Sequence, residues 1–152
     1  MKLAGFLLVL VALVVAAPAT SATHWTSSNY FRSPTGNIAC RYNPGGTAFY
    51  AYDGISCYTE NDYFLVGVQT DGRKGGFARN TLTAAQAISV LRLNHVWVPQ
   101  SAPILSYRQN WWNGGNRTSL RCFSRLEGMT CKAYVGGYVH GFFISRRTYR
   151  VW

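Results

Sequence analysis

Ser119-Leu120-Arg121-Cys122 and Gly128-Met129-Thr130-Cys131 decide how this chain folds. The runs Leu120–Ser124 and Met129–Tyr134 read as two strands of a hairpin turning through Arg125-Leu126-Glu127-Gly128. A four-residue loop there sets Cys122 directly opposite Cys131, close enough to bridge. The same pattern occurs earlier, where Asn37-Ile38-Ala39-Cys40 leads to Gly54-Ile55-Ser56-Cys57. Each unit has an apolar residue two before its first cysteine, then glycine, apolar residue, hydroxyl residue and cysteine around its second.

These are the only four cysteines, and spacing alone leaves three pairings open. The hairpin favours Cys122–Cys131, with Cys40–Cys57 as its counterpart. Zinc is not expected, because its ligands usually come in close pairs such as Cys-x2-Cys. Here sixteen and eight residues separate the members, with no histidine beside them. No cofactor is expected either.

Disulfides imply an oxidising compartment, and the N-terminus agrees. Lys2 precedes an apolar run from Leu3 to about Ala17, then the small residues Ala17-Pro18-Ala19-Thr20-Ser21-Ala22. This pattern predicts a secretory signal peptide over residues 1–22, cut after Ala19 or Ala22. Residues 23–152 are then one secreted domain, extracellular or associated with the cell wall. Any contact with a membrane is expected to be peripheral.

Short apolar and aromatic runs punctuated by glycine predict a mainly β fold, an antiparallel sandwich or barrel-like domain. The expected strands are Tyr30–Arg32, Ile38–Tyr42, Ala48–Tyr52, Ile55–Tyr58, Tyr63–Gln69 and Val96–Val98. Ile104–Arg108, Thr118–Ser124, Met129–Val135, Tyr138–Ile144 and Thr148–Trp152 complete the set. Asp53-Gly54 is a hairpin turn signal. One helix, Ala84–Leu93, is expected, because Thr83 and Gln86 fit a capping box and Ala84, Ala87, Ile88 and Leu91 fall at helical spacing. Thr70–Gly76 and Gln109–Asn116 read as the two main loops.

The stretch Phe31-Arg32-Ser33-Pro34-Thr35-Gly36-Asn37-Ile38-Ala39-Cys40 resembles the opening motif of a family of small exported actinobacterial proteins of unknown function. Gly128-Met129-Thr130-Cys131 with His140-Gly141-Phe142-Phe143-Ile144-Ser145-Arg146 is similar to its closing motif. The resemblance covers about a third of the mature chain. It implies export, disulfides and a small β-rich domain, and it implies no activity.

Charge gives the strongest functional hint. The net charge is +10, or +9 without Lys2, carried by twelve arginines and three lysines. Beyond Asp71 there are twelve cations and one acid, Glu127. Such a field favours a cell-wall polymer, nucleic acid, lipid headgroups or an acidic protein. In an extended Arg117–Arg125 segment, alternation puts Arg117, Arg121 and Arg125 on one face with Phe123, successive arginines about 13 Å apart. Arg146 and Arg150 repeat that spacing, with Arg147 beside them. The leading expectation is a non-enzymatic anion-binding module using these six arginines, with Trp111 and Trp112 as an aromatic platform. The plainer alternative is a solvated sheet face whose charges deter aggregation.

Other chemistry is harder to assemble. His140 could serve a small nuclease or other hydrolase, with Arg146 and Arg147 steadying a phosphate. Such a mechanism wants a second acid or base, and no spacing places Glu60, Asp62, Glu127, His95 or His24 beside it. No serine sits in a Gly-x-Ser-x-Gly elbow, and five acids scarcely furnish a glycosidase pair. A third alternative is an inhibitor of a secreted enzyme, acting through its loops. Asn116-Arg117-Thr118 matches the N-glycosylation pattern and is read as chance.

Overall fold

The structure is a computed structural model that describes residues 28–44, 54–61, 64–77, 83–114 and 118–152. The segment expected as a signal peptide, the expected Ala48–Tyr52 strand, Asp53, Asn116 and Arg117 lie outside the described residues. The rest forms two five-stranded antiparallel sheets, each a meander of neighbours in chain order. The first holds β1 (Tyr30–Arg32), β2 (Ile38–Asn43), β3 (Gly54–Thr59), β4 (Leu65–Gln69) and β5 (Lys74–Phe77). The second holds β6 (Asn110–Gly114), β7 (Thr118–Arg125), β8 (Gly128–Val135), β9 (Tyr138–Ile144) and β10 (Tyr149–Val151).

Both cysteine units take the same place in their sheets. Cys40 is the cross-strand partner of Cys57, and Cys122 of Cys131. Both pairs are bonded, with Cα atoms 4.0 and 4.1 Å apart. The bridges meet at the centre of the molecule, where Cys57 Sγ lies 3.8 Å from Cys131 Sγ. Around them Ile38, Ile55, Val66 and Val68 of the first sheet pack against Leu120, Met129, Phe142 and Ile144 of the second. Each is one side of a period-two alternation, which is why the apolar residues of each strand reach a common core.

Helix α1 (Ala84–Leu93) begins with the expected capping box: the Thr83 hydroxyl accepts from the Gln86 N–H, and the Gln86 side chain accepts from the Thr83 N–H. Leu91 joins Ala39, Tyr58, Leu65, Val96, Val98 and Ala102 in a second apolar cluster on the outer face of the first sheet. Both faces of that sheet are therefore covered.

Val96–Val98 and Ile104–Arg108 are not strands. Val96 and Val98 are buried, but their segment lies over the first sheet and is held by side chains. The Tyr58 hydroxyl accepts from Val98 N–H and lies 3.5 Å from its carbonyl. Pro99 and Pro103 lack the N–H donors that a ladder needs. Ile104 makes a single parallel bridge to Arg32, which shields the edge of β1.

Parts of two expected loops, Thr70–Gly76 and Gln109–Asn116, are strand instead. Lys74-Gly75-Gly76-Phe77 has no alternation to betray it and pairs through its backbone with β4. Its entry is the turn at Gly72, whose φ of +87° suits glycine. In β6, Trp111 and Trp112 alternate inward and outward within a polar string, so the strand passes for a loop. At the far end, β10 covers only Tyr149–Val151, and Arg146 lies before it in the turn. Gly136-Gly137, both at positive φ, close the β8–β9 hairpin in the two-residue manner that fits strand twist.

Candidate anion-binding face

Among the described residues no helix or strand covers the outer face of the second sheet, and register fixes what it displays. One row across the strands reads Trp112, Arg121, Lys132, Gly141. It continues to Trp152, which exchanges two 3.0 Å backbone hydrogen bonds with Gly141. The next row reads Asn110, Phe123, Thr130, Phe143, Arg150. A third pairs Ser119 with Tyr134 and Tyr134 with Val139. Cations and rings interleave, and none of these side chains is acidic.

The cations lie over the rings. Arg121 Cζ is 5.5 Å from the centroids of both Trp112 and Tyr134. Lys132 Nζ is 5.8 Å from Phe123, and Arg150 Cζ is 5.6 Å from Phe143. Such contacts hold a long side chain at a cost to none of its N–H donors, which remain available to a ligand. The ion pairs among the described residues are elsewhere, Arg32 with Glu60 and Arg73 with Asp71. The face therefore keeps its positive charge.

Arg121, Phe123 and Arg125 share a face as expected, with Leu120 and Cys122 turned inward. Arg117 lies outside the described residues. Arg150 belongs to the same face, three strands away from Arg121. Arg146 and Arg147 do not continue it along β10: both are exposed in the β9–β10 turn, at the sheet's lower end. Arg125, at the end of β7, reaches the same end, where it and Arg146 line one cleft.

The aromatic platform needs correction at Trp111. That ring is 2% exposed, packs against Phe31 and Tyr42 at 5.5 and 5.6 Å, and donates its N–H to Ser28 O at 3.2 Å. It is core, because inward alternation places it between the sheets. Trp112 is on the open face. Lys132, Tyr134, Phe143 and Trp152 were missed as members of the face. The expected pairing of Cys122 with Cys131 was signal enough for Lys132, since it sets Lys132 opposite Arg121.

The motif residues divide between scaffold and surface. Arg32 is buried and joins Glu60, the Gly36 carbonyl at 2.9 Å and the Pro99 carbonyl at 3.4 Å. It clamps the β1–β2 turn to the segment that shields β1. His140 faces inward on β9, beneath the β4–β5 turn, and a Cβ built on Gly72 would lie 2.8 Å from its ring. Its side chain makes no hydrogen bond or ion pair to a described residue. In that turn, partial burial pushes the Asp71 carboxyl up, but hydrogen bonds and charge from Arg73 outweigh it and hold the carboxyl below its ordinary value.

Cys40, Cys57 and Cys131 have sulfurs close enough to suggest a metal cluster, but all three are consumed in disulfides. Among the described residues no helix is long and apolar enough to cross a membrane. The chain matches no protein-family model, no curated protein and no solved structure.

Proposed function

We propose that this protein is an exported, non-enzymatic module that binds an anionic polymer across the open face of its second sheet. The observation that carries the reading is the composition of that face: Arg121, Lys132 and Arg150, each over an aromatic ring and none paired with a described carboxylate. An extended polyanion fits this layout. Three strand spacings and two residues along the strand separate Arg121 from Arg150, about 16 Å, so one chain of repeated charges can meet several cations. Arg125, Arg146 and Arg147 continue the positive field at the lower end. Edge donors of arginine suit phosphate or carboxylate oxygens in pairs.

Export supports a ligand met outside the cell. The two disulfides and the leader-like N-terminus point the same way. Among the described residues no acid or base is hydrogen-bonded to His140, which disfavours the hydrolase alternative, and the strands Lys74–Phe77 and Asn110–Gly114 shorten the loops that an inhibitor would use.

The test is binding of fluorescent polyphosphate, followed by anisotropy, to the wild type and to Arg121→Gln/Lys132→Gln/Arg150→Gln. The triple variant should bind at least about tenfold more weakly while keeping its melting profile, because charge-assisted hydrogen bonds are lost and no core contact is touched. Unchanged affinity would end the proposal.

A further inference from the structure

Two spaces adjoin at the lower end of the open face, and they have different chemistry. The smaller, of about 180 Å³, lies between the β1–β2 turn and the β7–β8 and β9–β10 turns. Thr35, Asn37, Arg125 and Arg146 line it, together with one carboxylate, Glu127. Asn37, Arg125 and Arg146 make no side-chain hydrogen bond or ion pair among the described residues, and the Thr35 hydroxyl has only a 3.4 Å contact with Ser33. Four donor side chains thus surround one cleft, its two guanidinium groups outnumber the single carboxylate, and no ion pair among the described residues absorbs them. Its size is below the ~300 Å³ at which pockets enclose whole small ligands, so it suits one functional group. Two guanidinium groups, a hydroxyl and an amide make a donor set for a tetrahedral oxyanion.

The larger space, a groove of about 730 Å³, shares Tyr107, Arg125, Leu126 and Glu127 with the cleft and extends along β6 and β7. It adds Arg108, Asn110, Phe123 and Ser124. Ser124 is buried, and its hydroxyl has no partner among the described residues. Here the character is mixed: the rings of Tyr107 and Phe123, the amide of Asn110, the guanidinium of Arg108 and the carboxylate of Glu127. Aromatic faces with scattered polar groups suit a sugar ring, whose C–H face lies on a ring and whose hydroxyls bond at its rim. Glu127 lines both spaces and is acceptor-only, so it serves the hydroxyls of a sugar beside the phosphate.

We propose that cleft and groove together form one subsite for a sugar-phosphate unit, with the phosphate held by Arg125 and Arg146 and the ring seated against Tyr107. This deepens the proposed function by naming the repeating unit of the polymer. It also gives the two quoted motifs a common purpose, since Thr35 and Asn37 come from the first and Arg146 from the second. A glycosyl phosphate polymer and a nucleic acid both contain such units, and the experiment separates them.

The probes are glucosyl phosphate, ribosyl phosphate, inorganic phosphate and glucose, titrated into the oxidised domain by calorimetry. Both sugar phosphates should bind more tightly than phosphate or glucose alone. Preference for the glucosyl ester points to a glycan source, and preference for the ribosyl ester to nucleic acid. Arg125→Gln/Arg146→Gln should weaken both esters at least about tenfold. Tyr107→Ala should weaken the esters severalfold and leave inorganic phosphate unchanged. Arg92→Gln, on α1 over the first sheet, should leave all four titrations unchanged. The proposal is overturned if neither ester binds, if inorganic phosphate binds as well as the esters, or if Arg92→Gln matters as much as Arg125→Gln/Arg146→Gln. Polyphosphate binding by the open face is measured separately, so loss of one reading is distinguishable from loss of the other.

Discussion

Removing either disulfide should cost nearly the same stability although their loops differ in length. Cys40 and Cys57 are 17 residues apart in sequence, Cys122 and Cys131 only 9. Loop-closure entropy depends on the logarithm of length, which gives about 3.1 kcal/mol for the longer loop and about 2.6 for the shorter at 25 °C. The difference is therefore only about 0.5 kcal/mol. All four cysteines are fully buried, and the two bridges touch at 3.8 Å. Packing loss thus adds to each figure, and the two losses should not be additive. Cys40→Ala/Cys57→Ala, Cys122→Ala/Cys131→Ala and the quadruple variant would be compared by urea unfolding. Each pair should lower stability by about 3 kcal/mol, and the quadruple variant should approach the whole stability of an ordinary domain, roughly 5–15 kcal/mol. A loss under about 1 kcal/mol for either pair would refute the reasoning. So would strict additivity, because it would mean that the bridges do not meet.

Trp111→Ala should destabilise by about 3–5 kcal/mol in chemical unfolding, whereas Trp112→Ala should cost far less and weaken polyphosphate binding instead. Glu60→Gln leaves the buried Arg32 guanidinium without its counter-charge and should lower the unfolding free energy by about 3 kcal/mol. Gly72→Ala meets both its positive φ and the His140 ring, so it should cost about 1–3 kcal/mol by thermal unfolding; adding His140→Ala should restore the part due to the ring and leave the backbone part. Polymer binding should survive His140→Ala unchanged.

Much of the fold could be read from local pattern because local interactions specify it. The β7–β8 hairpin has two cysteines to fix its register, and α1 carries its own capping box in Thr83 and Gln86. Alternation along β7 likewise places Arg121, Phe123 and Arg125 together. The failures occur where tertiary contact decides. Val96 and Val98 are as apolar as strand residues, but the outer face of the first sheet claims them. Lys74–Phe77 is a strand only because β4 lies beside it. Arg146 falls in a turn because Tyr149 is the first residue of β10 to pair with Ile144. The cleft was out of reach for a simpler reason. Thr35 and Arg146 lie in distant parts of the chain, and nothing local to either names the other.

The central claim is tested most directly by co-sedimenting oxidised residues 23–152 with purified Gram-positive cell wall, with and without its anionic polymers, across a salt series. The account predicts binding that requires those polymers and falls steeply with salt. If the slope follows the rule for phosphate contacts, about 0.7–0.9 per contact, engagement of Arg121, Lys132, Arg150 and Arg125 would give a slope on the order of 3. Absence of binding at low salt, or binding indifferent to removal of the polymers, would contradict it.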